Sequence, residues 1–342
     1  MREGMMTDVF GLIARPDNRG LGQQTWAMFR NLQPDKTLLL DIPSVQPLPA
    51  HPGRFPGATM LERFPSRRDI EAFLDGLDVV YTAETGYGQH LWDVAEKRGV
   101  RTILHVNYEF WNVDDRPTVY AAPTIWNIEQ LPESTLHLPV PIEVDRLTVE
   151  PKPPTASRFL HIVGRPAVFD RNGTPDVFAA LQHVRSNVTV TVACQQRGYV
   201  EDLQRNYRIP GNVEVDIRAT DLANYWENYL DADALIMPRR FGGLCLPVQE
   251  AVGCGLPVIM PDISPNGWLP GEWLVPATHS GTLHAKRVVD VYNVDVEALA
   301  SQIDRLAQDD VFYARAHEDA MRLRRRYSWD ALRGRYGAVL GL

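Results

Sequence analysis

Residues 232–259, "ADALIMPRRFGGLCLPVQEAVGCGLPVI", join a short apolar run, a glycine-bearing turn, a proline and a helically spaced run that carries one acid, Glu250. "ADALIMP" (232–238) lacks the alternation of a half-solvated strand and so reads as a strand buried on both faces of a parallel sheet. "PVQEAVGCG" (247–255) reads as a helix opened by Pro247, whose missing N–H falls where a helix leaves donors unpaired anyway. Between them "RRFGGLCL" is the loop at the strand's carboxyl end, and "LPVIMP" (256–261) is the next strand. Gly242 and Gly243 let backbone amides come close to a ligand. Glu250, expected in the first helical turn, can accept hydrogen bonds from the vicinal hydroxyls of a ribose. Ligands of open α/β sheets bind beyond the carboxyl ends of the strands, where helix N-termini favour phosphate.

The same grammar runs along most of the chain. "VFGLIA" (9–14), "KTLLLD" (36–41), "DVVYTA" (78–83) and "RTILHV" (101–106) read as buried strands, with helices expected in "GQQTWAMFRNL" and "GQHLWDVAEKRG" between them. A proline-rich passage, "LPVPIEVDRLTVEPKPPTAS" (138–157), suits neither a helix interior nor a central strand and reads as a linker. Beyond it strands are expected at 158–164, 188–194, 213–217, 232–238 and 256–261, and helices at 174–184, 222–230, 247–255 and 295–309. The alternation predicts an α/β protein of two Rossmann-like domains, in line with 342 residues at about 150 per domain.

Composition narrows the partners. Of the net charge of −8, residues 1–150 carry −7, with 14 Lys and Arg against 21 Asp and Glu. A surface that grips duplex nucleic acid or anionic lipid carries the opposite sign. The basic clusters "RFPSRR" (Arg63, Arg67, Arg68) and "RLRRR" (Arg322, Arg324, Arg325, Arg326) read as solvated faces. Cys194, Cys245 and Cys254 sit in apolar settings and read as buried free thiols, as expected of a reducing compartment. No apolar run reaches 18 residues, so a cytoplasmic protein without membrane insertion is expected.

The opening stretch resembles the signature of retaining, nucleotide-sugar-dependent glycosyltransferases of the GT-B fold, those of family 4, which read A-D, a strand, P-S-x-x-E-G-F-G-L-P-x-x-E-A-x-x-x-G-x-P-V-I. "HIVGR" with "RNGTPDVFAAL", "PIEVDRL" and "YSWDALRGRYGAVL" are similar to three further family segments, so that the resemblance runs in register from about 138 to 342. It implies an N-terminal acceptor domain over 1–143, a nucleotide-sugar donor domain over 144–325, and a C-terminal helix, 326–342, returning to the first domain across whose cleft the second faces. It assigns Arg165 and Arg171 to the donor diphosphate and Glu250 to the ribose, with backbone of Gly243, Leu244 and Cys245 near the sugar. One family acid, which contacts hydroxyls of the donor sugar, is replaced here by Gly242.

In the first half, "NRGLGQQTW" resembles the glycine loop that lines the diphosphate side, with Gly20 and Gly22 as candidates; Thr25 where a third glycine would stand argues against a nicotinamide site. His105, at a strand end, is expected to contact the donor sugar, with His90 as the second choice. Glu84 and Glu109 are the acids expected at the ligand, and Tyr108, Trp111 and Trp126 are candidates for stacking on sugar rings. Asp231-Ala232-Asp233 is the only D-x-D string, at the head of a buried strand, and no His or Cys cluster has metal-ligand spacing. The resemblance thus implies metal-independent hexosyl transfer from a nucleoside diphosphate sugar, UDP rather than GDP, with no other cofactor. The expected acceptor is a small molecule, glycan or protein, with a modified nucleobase, as in phage-like enzymes, less favoured. Gly242 keeps a donor-binding scaffold in view, and a nucleotide-sugar epimerase shares the two-domain form.

Overall fold

The computed structural model describes residues 7–42, 49–164, 170–219, 222 and 224–342. These gather into two compact units, one of 1–140, 285–287 and 329–342, the other of 141–284 and 288–328. Arg165 lies outside the described residues.

In the first unit the chain runs β1 (Phe10–Ala14), α1 (Gly20–Leu32), β2 (Lys36–Leu40), β3 (Thr59–Leu61), α2 (Arg67–Leu74), β4 (Val79–Ala83), α3 (His90–Arg98), β5 (Arg101–His105), β6 (Val119–Ala122) and β7 (Leu136–His137). The strands form one parallel sheet in the order β3-β2-β1-β4-β5-β6-β7. β1 and β4 are buried along their whole length, which is why they read as continuous apolar runs. α2 starts on a capping box in which Ser66 and Asp69 satisfy each other's backbone N–H groups. Asp69 also pairs with Arg63, so the "RFPSRR" cluster is in part a helix start and not only a solvated face.

In the second unit follow β8 (Arg158–Gly164), α4 (Thr174–Leu181), β9 (Val188–Cys194), α5 (Arg197–Gln204), β10 (Val213–Arg218), β11 (Ala234–Ile236), α6 (Leu246–Gly253), β12 (Val258–Pro261), β13 (Leu274–Val275), β14 (Ala277–His284), β15 (Val288–Val294), α7 (Val296–Gln308) and α8 (Asp310–Arg326). A parallel sheet of order β10-β9-β8-β11-β12-β13 is joined by the antiparallel pair β14-β15. The helix expected at 222–230 is a short 3-10 segment, Tyr225–Tyr229. The last helix, α9 (Trp329–Leu340), belongs to the first unit. Among the described residues no helix is long and apolar enough to cross a membrane.

Both sheets reverse their winding at one place, between β1 and β4 in the first unit and between β8 and β11 in the second. Loops leaving adjacent strands there diverge to opposite faces and open a crevice at the carboxyl ends.

Candidate active site

In the second unit the crevice is framed by the loops after β8 and β11. The first is held from several sides. Asp170 accepts hydrogen bonds from the amides of Asn172 (3.0 Å) and Thr174 (3.1 Å) and from the Tyr199 hydroxyl (2.7 Å). Asn172 donates to the carbonyl of Ile162 at 2.9 Å. Gly173 is left-handed (φ 71°), and a Cβ there would stand 2.3 Å from the Pro238 carbonyl, so only glycine lets the two loops touch. Beneath them His161 is buried: its Nδ1–H donates to the Ile236 carbonyl (2.9 Å) and its Nε2 accepts from the Thr174 hydroxyl (3.0 Å). Burial lowers its pKa and keeps it neutral, as that pairing requires. The Arg171 guanidinium lies over the Phe241 ring, 4.8 Å from its centroid, while the Arg171 carbonyl accepts from the Arg240 amide. Residues 170–174 and the loop after β11 are therefore packed together, with Arg171 against the 238–245 turn.

α6 begins after that turn. Cys245 is its N-cap but supplies no side-chain cap, and no acid occupies the first turn, so the helix end keeps its positive character for an anion. Gly242 is left-handed (φ 114°) and Gly243 and Leu244 are half-buried, whereas the Cys245 side chain is buried. Glu250 is the fifth residue of α6 and so stands in the second turn, not the first. Its carboxylate accepts a 2.5 Å hydrogen bond from Tyr229, at the end of the 3-10 segment. Burial pushes the Glu250 pKa up to about 7; the Tyr229 hydrogen bond pulls it down, Glu143 pushes it up and Arg146 pulls it down. Glu143 and Arg146 form a buried ion pair at 2.7 Å, and Arg146 stacks on Trp226 at 4.6 Å. Arg324, from the "RLRRR" cluster, donates to the carbonyls of Val144 (2.9 Å), Leu147 (3.0 Å) and Gly253, fastening the linker to the end of α6. Tyr229, Trp226, Arg146 and Arg324 were invisible as site residues because nothing local marks them: their roles come from contacts distant in sequence.

In the first unit, Gly20 opens α1, and a Cβ on Gly22 would stand 2.0 Å from the Asp17 carbonyl, so Gly22 fits a backbone close approach. The loop before it is fixed by a buried Arg15–Asp17 pair at 3.3 Å, with Asp17 also accepting from the Arg19 amide. Glu84, left-handed at φ 62° beyond β4, and Glu109 are joined by Asn107, whose amide donates to both. Arg15 and Asp17 are residues the sequence reading missed; only their short spacing in the β1–α1 loop hinted at them.

His105 does not fit the role expected of it. It closes β5 with its side chain 1% exposed, and both ring nitrogens are used: Nε2–H donates to the Leu138 carbonyl (2.8 Å) and Nδ1 accepts from the Tyr81 hydroxyl (2.6 Å). Burial lowers its pKa to about 4, so it stays neutral and has no edge left for a sugar. His90, by contrast, is exposed at the start of α3. Tyr108, Trp111 and Trp126 are buried, with Tyr108 against Trp126 in an edge-to-face pair and the Arg287 guanidinium over the Trp111 ring at 4.9 Å. Asp233 is fully buried, accepting from the amides of Ser157 (3.0 Å) and Arg158 (2.9 Å) and from the Arg158 guanidinium (2.9 Å), which accounts for the D-x-D string as an anchor at the amino ends of the central strands β8 and β11. Among the described residues no group of three His, Cys, Asp or Glu side chains is placed to hold a metal ion.

Comparison with known proteins bears on this second unit directly. Residues 158–309 match the family model described as glycosyl transferases group 1, a span that contains Arg171, the 238–245 loop and Glu250. No curated protein sequence matches the chain. Among solved structures, HepE of Anabaena, crystallised with UDP and glucose, is similar over 97% of this chain and 99% of its own at 12% identity and a TM-score of 0.69. The sucrose-phosphate synthase of Thermosynechococcus elongatus gives a TM-score of 0.67 at 15% identity, covering 96% of this chain and 97% of that one. A glycosyltransferase from Rickettsia africae gives 0.67 at 11% identity, covering 98% of each chain. Identities this low speak to the fold, and the family match to the second unit. The chain has the GT-B fold, and residues 158–309 of its second unit are similar to the glycosyl transferases group 1 family.

Proposed function

We propose that the chain transfers a hexosyl group from a UDP-sugar to an acceptor hydroxyl with retention of configuration, and does so without a divalent metal. The observation that carries the reading is the pairing, at the second unit's switch point, of a basic, glycine-bearing loop with the Tyr229-held carboxyl of Glu250. A nucleoside diphosphate has complementary parts. Its ribose offers vicinal hydroxyls that donate to Glu250, and its diphosphate suits the uncapped amides of α6 and the Arg171 guanidinium. HepE, a neighbour in fold, holds UDP with glucose.

In the reaction the bond between the sugar's anomeric carbon and the diphosphate oxygen breaks as the acceptor oxygen bonds to the same carbon on the same face. The acceptor's proton passes to the departing diphosphate. No protein nucleophile is needed; Arg171 and the helix end stabilise the charge that grows on the leaving group. The acidic first 150 residues favour a small molecule, glycan or protein as acceptor over DNA.

Glu250→Ala and Arg171→Ala test the assignment. Loss of hydrogen bonds to a charged group is worth about 1.5–3 kcal/mol, so UDP affinity by titration calorimetry should fall roughly 10- to 150-fold in the first variant. In the second, release of UDP from a donor panel should slow more than UDP binding weakens. Unchanged UDP affinity in Glu250→Ala sinks the reading.

A further inference from the structure

Arg239, in the loop after β11, is 8% exposed. Its Nε donates to the Phe241 carbonyl at 2.9 Å, and among the described residues no carboxylate lies within ion-pair distance of its guanidinium. Arg15, the other arginine buried to this degree among the described residues, differs in being paired with Asp17. A guanidinium carries its charge at neutral pH, and covering most of it without an opposite charge beside it is unfavourable. Such a group is stable in place when a ligand supplies the anion.

The backbone around it is shaped to admit it. A Cβ on Gly242 would stand 2.5 Å from Nη2, 3.0 Å from Nε and 3.1 Å from Cζ of Arg239, so a side chain at 242 would have to displace this guanidinium and adopt a left-handed backbone (φ 114°). Absence of an acid at 242 and presence of a buried cation at 239 are thus a single feature of the loop. Phe241 is gripped from two sides, its carbonyl by Arg239 and its ring by Arg171, so that two guanidinium groups stand around one residue of the loop.

We propose that Arg239 selects an anionic donor sugar, its Nη1 and Nη2 forming a two-pronged pair with the carboxylate of a uronic acid carried on UDP. This rests on reading the site as a UDP-sugar site. An oxyanion is the shared chemistry of a sugar carboxylate and of the diphosphate. The carboxylate is favoured because the uncapped α6 amides and Arg171 already serve the diphosphate, leaving Arg239 a charge without a counterpart in a neutral hexose.

The test is calorimetric titration of the whole chain and its Arg239→Gln and Arg239→Lys variants with UDP, UDP-glucose and UDP-glucuronate, with melting curves to check folding. Expected is at least a tenfold preference of the wild-type protein for UDP-glucuronate over UDP-glucose, abolished in Arg239→Gln and partly kept in Arg239→Lys. Binding of UDP-glucose and UDP-glucuronate with equal affinity by the wild type overturns the inference alone. An equal loss of UDP affinity in Arg239→Gln also overturns it, because the guanidinium then holds the diphosphate. Failure of the wild type to bind UDP at all fells the reading of the site and this inference with it.

Discussion

At the scale of single residues, Glu250 and Tyr229 set how the proposed donor site responds to pH. The Glu250 carboxyl titrates at about 7 in the folded chain against an ordinary value of 4.5, chiefly through burial. Only its ionised form is a pure acceptor for ribose hydroxyls. UDP affinity should therefore rise as pH is raised through about 7 and level off above it. Tyr229→Phe removes the hydrogen bond that holds the carboxyl down, and should move that midpoint upward by about one unit, since one unit is about 1.4 kcal/mol, the scale of one hydrogen bond. Calorimetry across this range checks both; a midpoint unmoved in Tyr229→Phe assigns the titration elsewhere. Linkage gives a second readout. Because the folded pKa lies above the unfolded one, the group's contribution to stability is present in acid and declines as pH rises from about 4.5 to about 7. Glu250→Gln should flatten that decline. His105 shows the opposite case, a histidine whose burial and two hydrogen bonds leave nothing for a ligand. A strand end in sequence does not say which way the last side chain points.

At the scale of elements, the loop from Asp170 to Thr174 carries Arg171 and depends on a left-handed glycine against a carbonyl. Gly173→Ala should cost about 1–3 kcal/mol and displace the Arg171 loop from Pro238. Its expected signature is a lowered melting temperature together with slower UDP release from donor sugars; normal turnover in a destabilised variant would detach the loop from the chemistry. The strands at the centre of both sheets were legible because a parallel strand buried on both faces leaves an apolar run that no surface element copies. The β14-β15 pair was not, since "ATHSGTLH" is polar and largely exposed, with its partner strand buried only at Val289, Val291 and Val294. α8 was hidden likewise: its three closing arginines look solvated, yet Arg324 spans three carbonyls of the linker and α6. The family-like stretch located Glu250 and the glycine loop. Tyr229, Trp226 and Arg239 needed coordinates, since their roles depend on what faces them.

At the scale of the whole molecule, the order of segments along the chain separates two cores that can be probed independently. The first unit is built from 1–140 and completed by the chain's last helix, so its stability depends on residues encoded after the entire second unit. Within α9, Tyr336 and Leu340 are fully buried, Trp329 and Leu332 nearly so, and the Tyr336 hydroxyl donates to the Pro139 carbonyl at 3.1 Å. The end of the helix is tied to the sheet by Arg101, which donates to the Leu340 carbonyl at 3.1 Å and pairs with Asp8 at 2.6 Å. The closing "YSWDALRGRYGAVL" stretch marked this helix in sequence, and its buried aromatic and leucine positions explain why an apolar spacing survives there. Leu340→Ala should remove about 2–5 kcal/mol from the first unit, a large share of a domain's stability of roughly 5–15 kcal/mol. UDP, bound at the second unit, should still raise that unit's own melting transition by mass action. Differential scanning calorimetry with and without UDP reads both at once: a first-unit transition lowered by Leu340→Ala beside an unchanged UDP-dependent shift is the expected result. Loss of the UDP shift in this variant would mean that the donor site depends on the integrity of the first unit's core.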